Sequence, residues 1–339
     1  MTPLTQAPPS PDRILETLCA YERSAALKAA IELDLFTAIG EGDDTVPELS
    51  ARTGAAEHGV RILADYLTVI GYLEKSGDKY ALTPEPATYL DRRSPAYLGS
   101  IAQFIASPMF ERHFDEFTEA VRRGGTTEGE GTLAPEHPVW VEFARAMAPL
   151  MRPVSEMLAR AVGAGTGTGG WRVLDIAAGH GLFGIAIAKA DPRASVVAVD
   201  WDNVLAAARE NAAAAGIASR YAVNPGSAFT VDFATGFDLA LITNFLHHFD
   251  RDTCTGLLRR VRAALAPGGR AAILEFIPNE DRITPPRAAT FAIKMLATTP
   301  AGDAYTYAEL DDMCRAAGFR ATERHELAPA PNDLVIALT

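Results

Sequence analysis

Apolar residues recur along this chain with two periods, and the change from one to the other falls near residue 171. Before it the spacing is helical. Ala25-Ala-Leu-Lys-Ala-Ala-Ile-Glu-Leu33 predicts one helix, and TVPELSART (45–53) a second, with Thr45 as its cap and Pro47 in its first turn. GAAEHGVRILADYLTVIGYLEK (54–75) predicts a third, and SGDKYALT (76–83) a hairpin turning at Gly77-Asp78. Helix, helix, hairpin is a winged-helix pattern. Residues 108–160 are again helical, broken by GGTTEGEGT (124–132), which reads as a surface loop. Beyond 171, short apolar runs alternate with helical stretches. WRVLDIAA, SVVAVD, FDLALITNFL and GGRAAILEFI read as strands of a parallel, doubly wound α/β sheet of Rossmann-like type.

These periods divide the chain into a proline-rich, disordered lead-in (1–12), a helical, winged-helix unit (13–105), a helical connector (106–165) and a Rossmann-like domain (166–339). The densest signal lies in VLDIAAGHGLFG (173–184): a buried strand, a G-x-G-x-x-G turn through Gly179, Gly181 and Gly184, and the start of a helix. Glycines at such a turn allow close backbone approach and leave a helix N-terminus open to a ligand. Asp175 ends that strand. Asp200 ends the next one, 19 residues after Gly181, a distance suited to ribose hydroxyls. Together they point to a nucleotide-type cofactor. A second G-x-G-x-x-G, Gly165 to Gly170, precedes the strand instead of following it and reads as a linker.

Composition narrows the partners. With a formal net charge of −12 the chain lacks the basic surface that nucleic acid or an anionic membrane demands. The candidate recognition helix carries Glu57, His58, Arg61 and Asp65, with no net basic face, so a packing or dimerisation module outweighs a DNA-binding head. Three scattered cysteines (Cys19, Cys254, Cys314) have no metal spacing. Without an apolar signal core or a long apolar run, the chain is expected to be cytoplasmic.

DIAAGHG, VVAVD, FARAM (143–147), NFLHHFD (244–250) and LAPGGRAAILEF (265–276) resemble, in combination, the small-molecule O-methyltransferases that bind S-adenosylmethionine and carry an N-terminal winged-helix dimerisation domain. The resemblance runs from about residue 14 to 339. It implies a homodimer, with Gly179 and Gly181 packed on the cofactor, Asp200 on its ribose, Asp175 near its methionyl end and Trp201 over its adenine. His180, Ser227, Phe229 and Asn244 complete the implied cofactor set. It further implies that His247 is the general base and that Glu275, 28 residues later, orients it. Departures from the family pattern are His248 where Asp is usual, Phe249 where Trp is usual, Ala304 where a second carboxylate stands (Asp303 is adjacent), and Ser227 in place of an acid.

A neutral histidine with an unperturbed pKa near 6.5 suits removal of a phenolic proton. The expected acceptor is a hydroxyl of a small aromatic or polyketide-like metabolite. Candidate pocket residues are Phe104, Phe143, Met147, His248, Phe291 and Met295, though a globular core uses the same types. Lys294 reads as a solvated helix position, with an acidic substrate as the alternative. No metal is expected: neighbouring His247 and His248, if on a strand, point to opposite faces. Carbon methylation, a non-methylating role for the cofactor and a nicotinamide-dependent oxidoreductase stay open as other functions of the same fold.

Overall fold

The computed structural model describes residues 9–166 and 169–339. The first eight residues of the expected lead-in, and residues 167 and 168 of the expected linker, lie outside the described residues. Two units divide the chain, Met1–Ala106 and Ser107–Thr339.

The first unit runs α1 (Asp12–Leu18), α2 (Ala20–Glu32), α3 (Leu35–Glu41), α4 (Val46–Thr53) and α5 (Glu57–Val69), then β1 (Leu73–Ser76), β2 (Lys79–Leu82), α6 (Pro84–Tyr89) and α7 (Ile101–Ile105). Thr45 and Glu48 form a reciprocal capping box that starts α4. The helix expected to reach Lys75 stops at Val69, because Gly71 takes φ +88° and Leu73–Ser76 pairs with β2 instead. Leu35, Phe36, Leu49 and Leu67 are fully buried at the centre. By contrast α1 buries nothing, and Ile14, Leu15, Leu18 and Tyr21 stand exposed at helical spacing.

The second unit begins with α8 (Pro108–Asp115), α9 (Phe117–Arg123), α10 (Val139–Ala146) and α11 (Ala148–Ala161). There follow β3 (Arg172–Ile176), α12 (Leu182–Ala190), β4 (Ser195–Asp200), α13 (Asp202–Ala214), β5 (Tyr221–Pro225) and β6 (Phe237–Thr243). It ends with α14 (Arg251–Ala264), β7 (Leu265–Glu275), α15 (Pro286–Ala289), α16 (Ala292–Thr298), α17 (Tyr307–Ala316), β8 (Ala321–Glu326) and β9 (Asp333–Leu338). The seven strands lie in the order β5-β4-β3-β6-β7-β9-β8; β9 runs antiparallel to both β7 and β8, and the rest pair in parallel. Parallel strands covered on both faces must be apolar throughout, as Val173, Leu174, Ile176, Val196 and Val199 are. Chain order reverses between β3 and β6, so the carboxyl ends of these two strands flank the crevice where such sheets bind ligands.

Helices α10 and α11 pack on α13 and α12 within this same unit. The 124–132 segment is a loop with Gly124, Glu128, Gly129 and Glu130 exposed, as expected of a surface loop, but it also packs inward at Gly125, Thr126 and Thr132. Thr126 N donates to the Thr299 carbonyl (2.9 Å), Thr132 Oγ1 to the Thr298 carbonyl (3.2 Å), and both threonines are buried. Gly125 and Gly131 allow the approach, since a Cβ on either would strike the carbonyls of Pro300 or Thr298. The loop thereby holds the segment after α16 in place.

Candidate active site

The glycine turn follows β3, and its three glycines have different physical jobs. Gly179, at φ +55°, leaves open space where a Cβ would lie, with only a Phe143 ring carbon and a backbone oxygen at van der Waals distance. A Cβ on Gly181 would meet the Tyr221 hydroxyl at 2.4 Å, and one on Gly184 would meet Asp175 Oδ2 at 2.7 Å and Val196 at 2.8 Å. Gly181 and Gly184 are therefore demanded by packing inside the protein, and Gly179 by the turn and the space above it. The approach to the turn is anchored too: Gly170 N donates to Asp191 Oδ2 at 2.5 Å.

Asp200, at the end of β4, accepts from Gly179 N (2.8 Å) through one oxygen and from Trp201 N (2.7 Å) through the other. Burial raises its pKa to about 6 against these hydrogen bonds. It is partly accessible beside the turn. Asp175 behaves otherwise than expected. Its carboxyl is fully buried, turned inward onto Gly184 N (3.1 Å) at the start of α12, with Oδ1 unpaired. Burial pushes its pKa up to about 7, so it braces the turn from inside and offers no surface to a methionyl group.

His180 is buried, accepts from Leu182 N at 3.2 Å, and is kept neutral by burial, which lowers its pKa to about 4. Phe143 stacks on it (6.1 Å between ring centroids, 18°), Trp140 meets Phe143 edge-on at 5.9 Å, and Trp140 meets His248 at 5.1 Å. A line of rings thus joins the glycine turn to the two histidines. From the sequence alone Trp140 reads, with Met151 and Met157, as a core residue of an apolar helical segment, since one large apolar residue there looks like another. Trp201 packs with Trp140 and Val141 against Ala144, Val204 and Ala207. Ser227 accepts from Phe229 N (3.2 Å), while Phe229 joins Phe245 and Phe249 in a ring cluster. Asn244 is held elsewhere than on the turn: its Oδ1 accepts from Asn332 (2.9 Å), a fully buried residue that sequence reasoning missed.

The expected strand through Leu246 ends at Thr243, because Asn244 turns the chain at φ +54°. A short 3-10 turn, Leu246–His248, follows. Glu275, ending β7, holds it. Oε1 accepts from Phe245 N (2.9 Å) and Leu246 N (2.8 Å), and Oε2 pairs with His247 Nδ1 at 2.5 Å. No described residue bonds Nε2. Asp303 contributes its backbone, donating to the His247 carbonyl (2.9 Å), while its carboxylate faces Arg282 and Ala304 N. Glu275 is therefore the carboxylate on the His247 ring.

On the turn the rings of His247 and His248 do not diverge as strand neighbours would; their centroids lie 4.2 Å apart. Burial, reinforced by His247, keeps His248 neutral, and its Nδ1 is buried without a partner. The carboxylates next to the two histidines are engaged by the protein itself, since Asp250 caps α14 through Thr253 N (2.8 Å) and Glu275 is taken as above. Phe291 lies edge-on to His247 at 4.7 Å and stacks on Phe276 at 3.9 Å. Met147 and Met295 are buried in the same unit, whereas Phe104 belongs to the first. Lys294 is half-buried, contrary to the solvated position expected of it.

The family of O-methyltransferase domains matches residues 144–320, and that of O-methyltransferase dimerisation domains matches residues 15–92. The chain belongs to the O-methyltransferase family. Its methyl donor is S-adenosylmethionine, and the space above Gly179 beside the Asp200 carboxylate fits such a group. Among its relatives, a Streptomyces sahachiroi 3-hydroxy-5-methyl-1-naphthoate 3-O-methyltransferase is 31% identical over 302 residues, covering 87% of this chain and 86% of the relative. The tetracenomycin polyketide synthesis 8-O-methyltransferase of Streptomyces glaucescens is 29% identical over 326 residues, 94% of each chain. A crystal structure of a candidate O-methyltransferase from Nostoc punctiforme superposes with TM-score 0.95 at 47% identity, covering 98% of this chain and 100% of that one. The nicotinamide reading is set aside, because both family matches are to O-methyltransferase domains.

The buried acid of the turn makes stability depend on pH. A carboxyl whose folded-state pKa is raised from 3.8 to about 7 keeps its proton longer in the folded chain than in the unfolded one. The stability it permits is full below the unfolded value and lost as pH rises through the folded value. Asp175→Asn keeps an acceptor for Gly184 N and removes the ionisation. Thermal melts from pH 4 to pH 8 will show the variant losing less stability than the wild type as pH rises; parallel curves would contradict the assignment.

Proposed function

We propose that this O-methyltransferase methylates a hydroxyl of a small, planar aromatic or polyketide-like metabolite, with His247 as general base and Glu275 as its positioning residue. The hydrogen bond between His247 Nδ1 and Glu275 carries the reading. A carboxylate that already accepts two backbone N–H groups takes the ring proton on Nδ1, which leaves the Nε2 lone pair as the base. Bound S-adenosylmethionine supplies a methyl group on a sulfonium, whose leaving group is built in. The protein's share is alignment and removal of one proton. As the acceptor hydroxyl gives its proton to Nε2, Glu275 stabilises the resulting imidazolium at the far nitrogen.

The aromatic acceptor class is supported by the rings beside His247 and His248. Phe291 and Phe276 stack on one side, and Trp140 with Phe143 reaches back to His180. The naphthoate and polyketide substrates in the relatives' names agree with it. In this reading Asp200 takes the ribose and Trp201 the adenine, while Asp175 acts only through the turn. We further propose a homodimer working in the cytoplasm. The exposed Leu15, Leu18 and Tyr21 support the dimer, lying within the part matched as a dimerisation domain, with the exposed Ile14 next to its start. Unpaired Cys19, Cys254 and Cys314 suit a reducing compartment.

His247→Ala, with cofactor affinity retained, should lower kcat roughly 10²–10⁴-fold, the usual worth of general base catalysis. Glu275→Gln presents an amide N–H to Nδ1, favours the wrong tautomer and should cost about 10²–10⁴-fold, as loss of the base does. Near-normal turnover of the alanine variant on the enzyme's acceptor would sink the assignment. Light scattering of the full chain at micromolar concentration should report a dimer, and Leu18→Glu with Tyr21→Glu a monomer. A monomeric wild type would contradict the dimer.

A further inference from the structure

Lysine ammonium groups that lose water are ordinarily compensated by an anion. In this chain Lys75 binds Asp65 and Lys79 binds Asp44, both on exposed surface. Lys294 is different. It is half-buried on α16, and no described residue supplies a hydrogen bond or ion pair to its Nζ. Asp303 is engaged by Arg282, and Glu128 stands 3.8 Å from His113. Burial alone lowers the lysine's pKa, with no carboxylate pulling it back. A stem lying along apolar surface with its head in water accounts for the partial burial, but not for the position. Lys294 follows Phe291 by three residues, so the two share one face of the helix turn. Phe291 is the residue that lies edge-on to His247.

Resting on the acceptor class proposed above, we propose that Lys294 is a specificity residue that binds a carboxylate carried by the aromatic acceptor. Three helical residues advance the chain roughly 5 Å. The flexible lysine stem spans a comparable distance, so an acceptor with its hydroxyl at His247 Nε2 and its carboxylate about one ring away matches that reach. A single compact cation suits one monovalent anion, and the rings of Phe291 and Phe276 beside His247 suit the planar body that carries that anion. No bond is made or broken at this residue. It sets which acceptors bind and in which orientation they present the hydroxyl.

The test is calorimetric binding of 3-hydroxy-1-naphthoate and its neutral carboxamide to the full chain with S-adenosylhomocysteine present, in wild type and in Lys294→Met. A charge-assisted contact in a partly buried site should favour the acid over the amide roughly ten- to a hundredfold in the wild type. In Lys294→Met the acid should weaken by that factor while the amide binds as before. Amide binding in the variant also reports that the site is still folded. Equal affinity for acid and amide in the wild type, or an acid preference that survives in the variant, would overturn the role of Lys294 and leave the acceptor class standing. Binding of neither compound to the wild type would overturn the acceptor class, and this assignment with it.

Discussion

The site depends on one carboxylate being held at the end of one strand. Glu275 is the last residue of β7, and parallel pairing sets Leu274 beside Thr243 of β6. Asn244 N extends that ladder by one hydrogen bond to the Leu274 carbonyl (2.7 Å), after which the chain turns. The next three residues then fall around the Glu275 side chain, which takes two of their amides and one ring nitrogen. Strand register therefore fixes the turn, the turn fixes the ring, and the ring's partner fixes which nitrogen is basic. The loop after α16 closes the arrangement from below. Gly302 has no Cβ to strike the His247 carbonyl, and Asp303 N bonds that same oxygen.

The cofactor side is organised around β3 and its neighbour β4. Asp200 ties the turn to β4 from the accessible side, and Asp175 ties it to α12 from within. The two acids look equivalent in the sequence, yet burial gives them different work. One has a carboxylate still open to a ligand. The other is sealed behind the turn and tends to keep its proton. The line of rings from His180 through Phe143 and Trp140 to His248 joins this side to the base.

Legibility in the sequence followed the locality of the cause. The four apolar strands, the glycine turn, the Thr45 cap and the hairpin were readable because each is specified within a few residues. His247 and Glu275 were readable as a pair because neighbouring parallel strands repeat at a length that a family resemblance preserves. The direction of Asp175 was not, since β3 is buried along nearly its whole length and alternation marks no face there. Strands β5, β8 and β9 escaped: YAVNP ends in proline, ATERHE is mostly polar, and the short apolar run of DLVIAL has no helical stretch after it to mark the alternation. The burial of Lys294 depends on elements distant in sequence, and the inward packing of loop 124–132 on the 298–300 backbone depends on a contact across more than 160 residues.

The most direct test of the central claim is the tautomer of His247, read from nitrogen chemical shifts of labelled protein with S-adenosylhomocysteine present. A proton on Nδ1 with Nε2 unprotonated, shifting to the other tautomer in Glu275→Gln, is the result expected if Glu275 sets the base. A proton on Nε2 in the wild type, or a tautomer indifferent to Glu275, would contradict it.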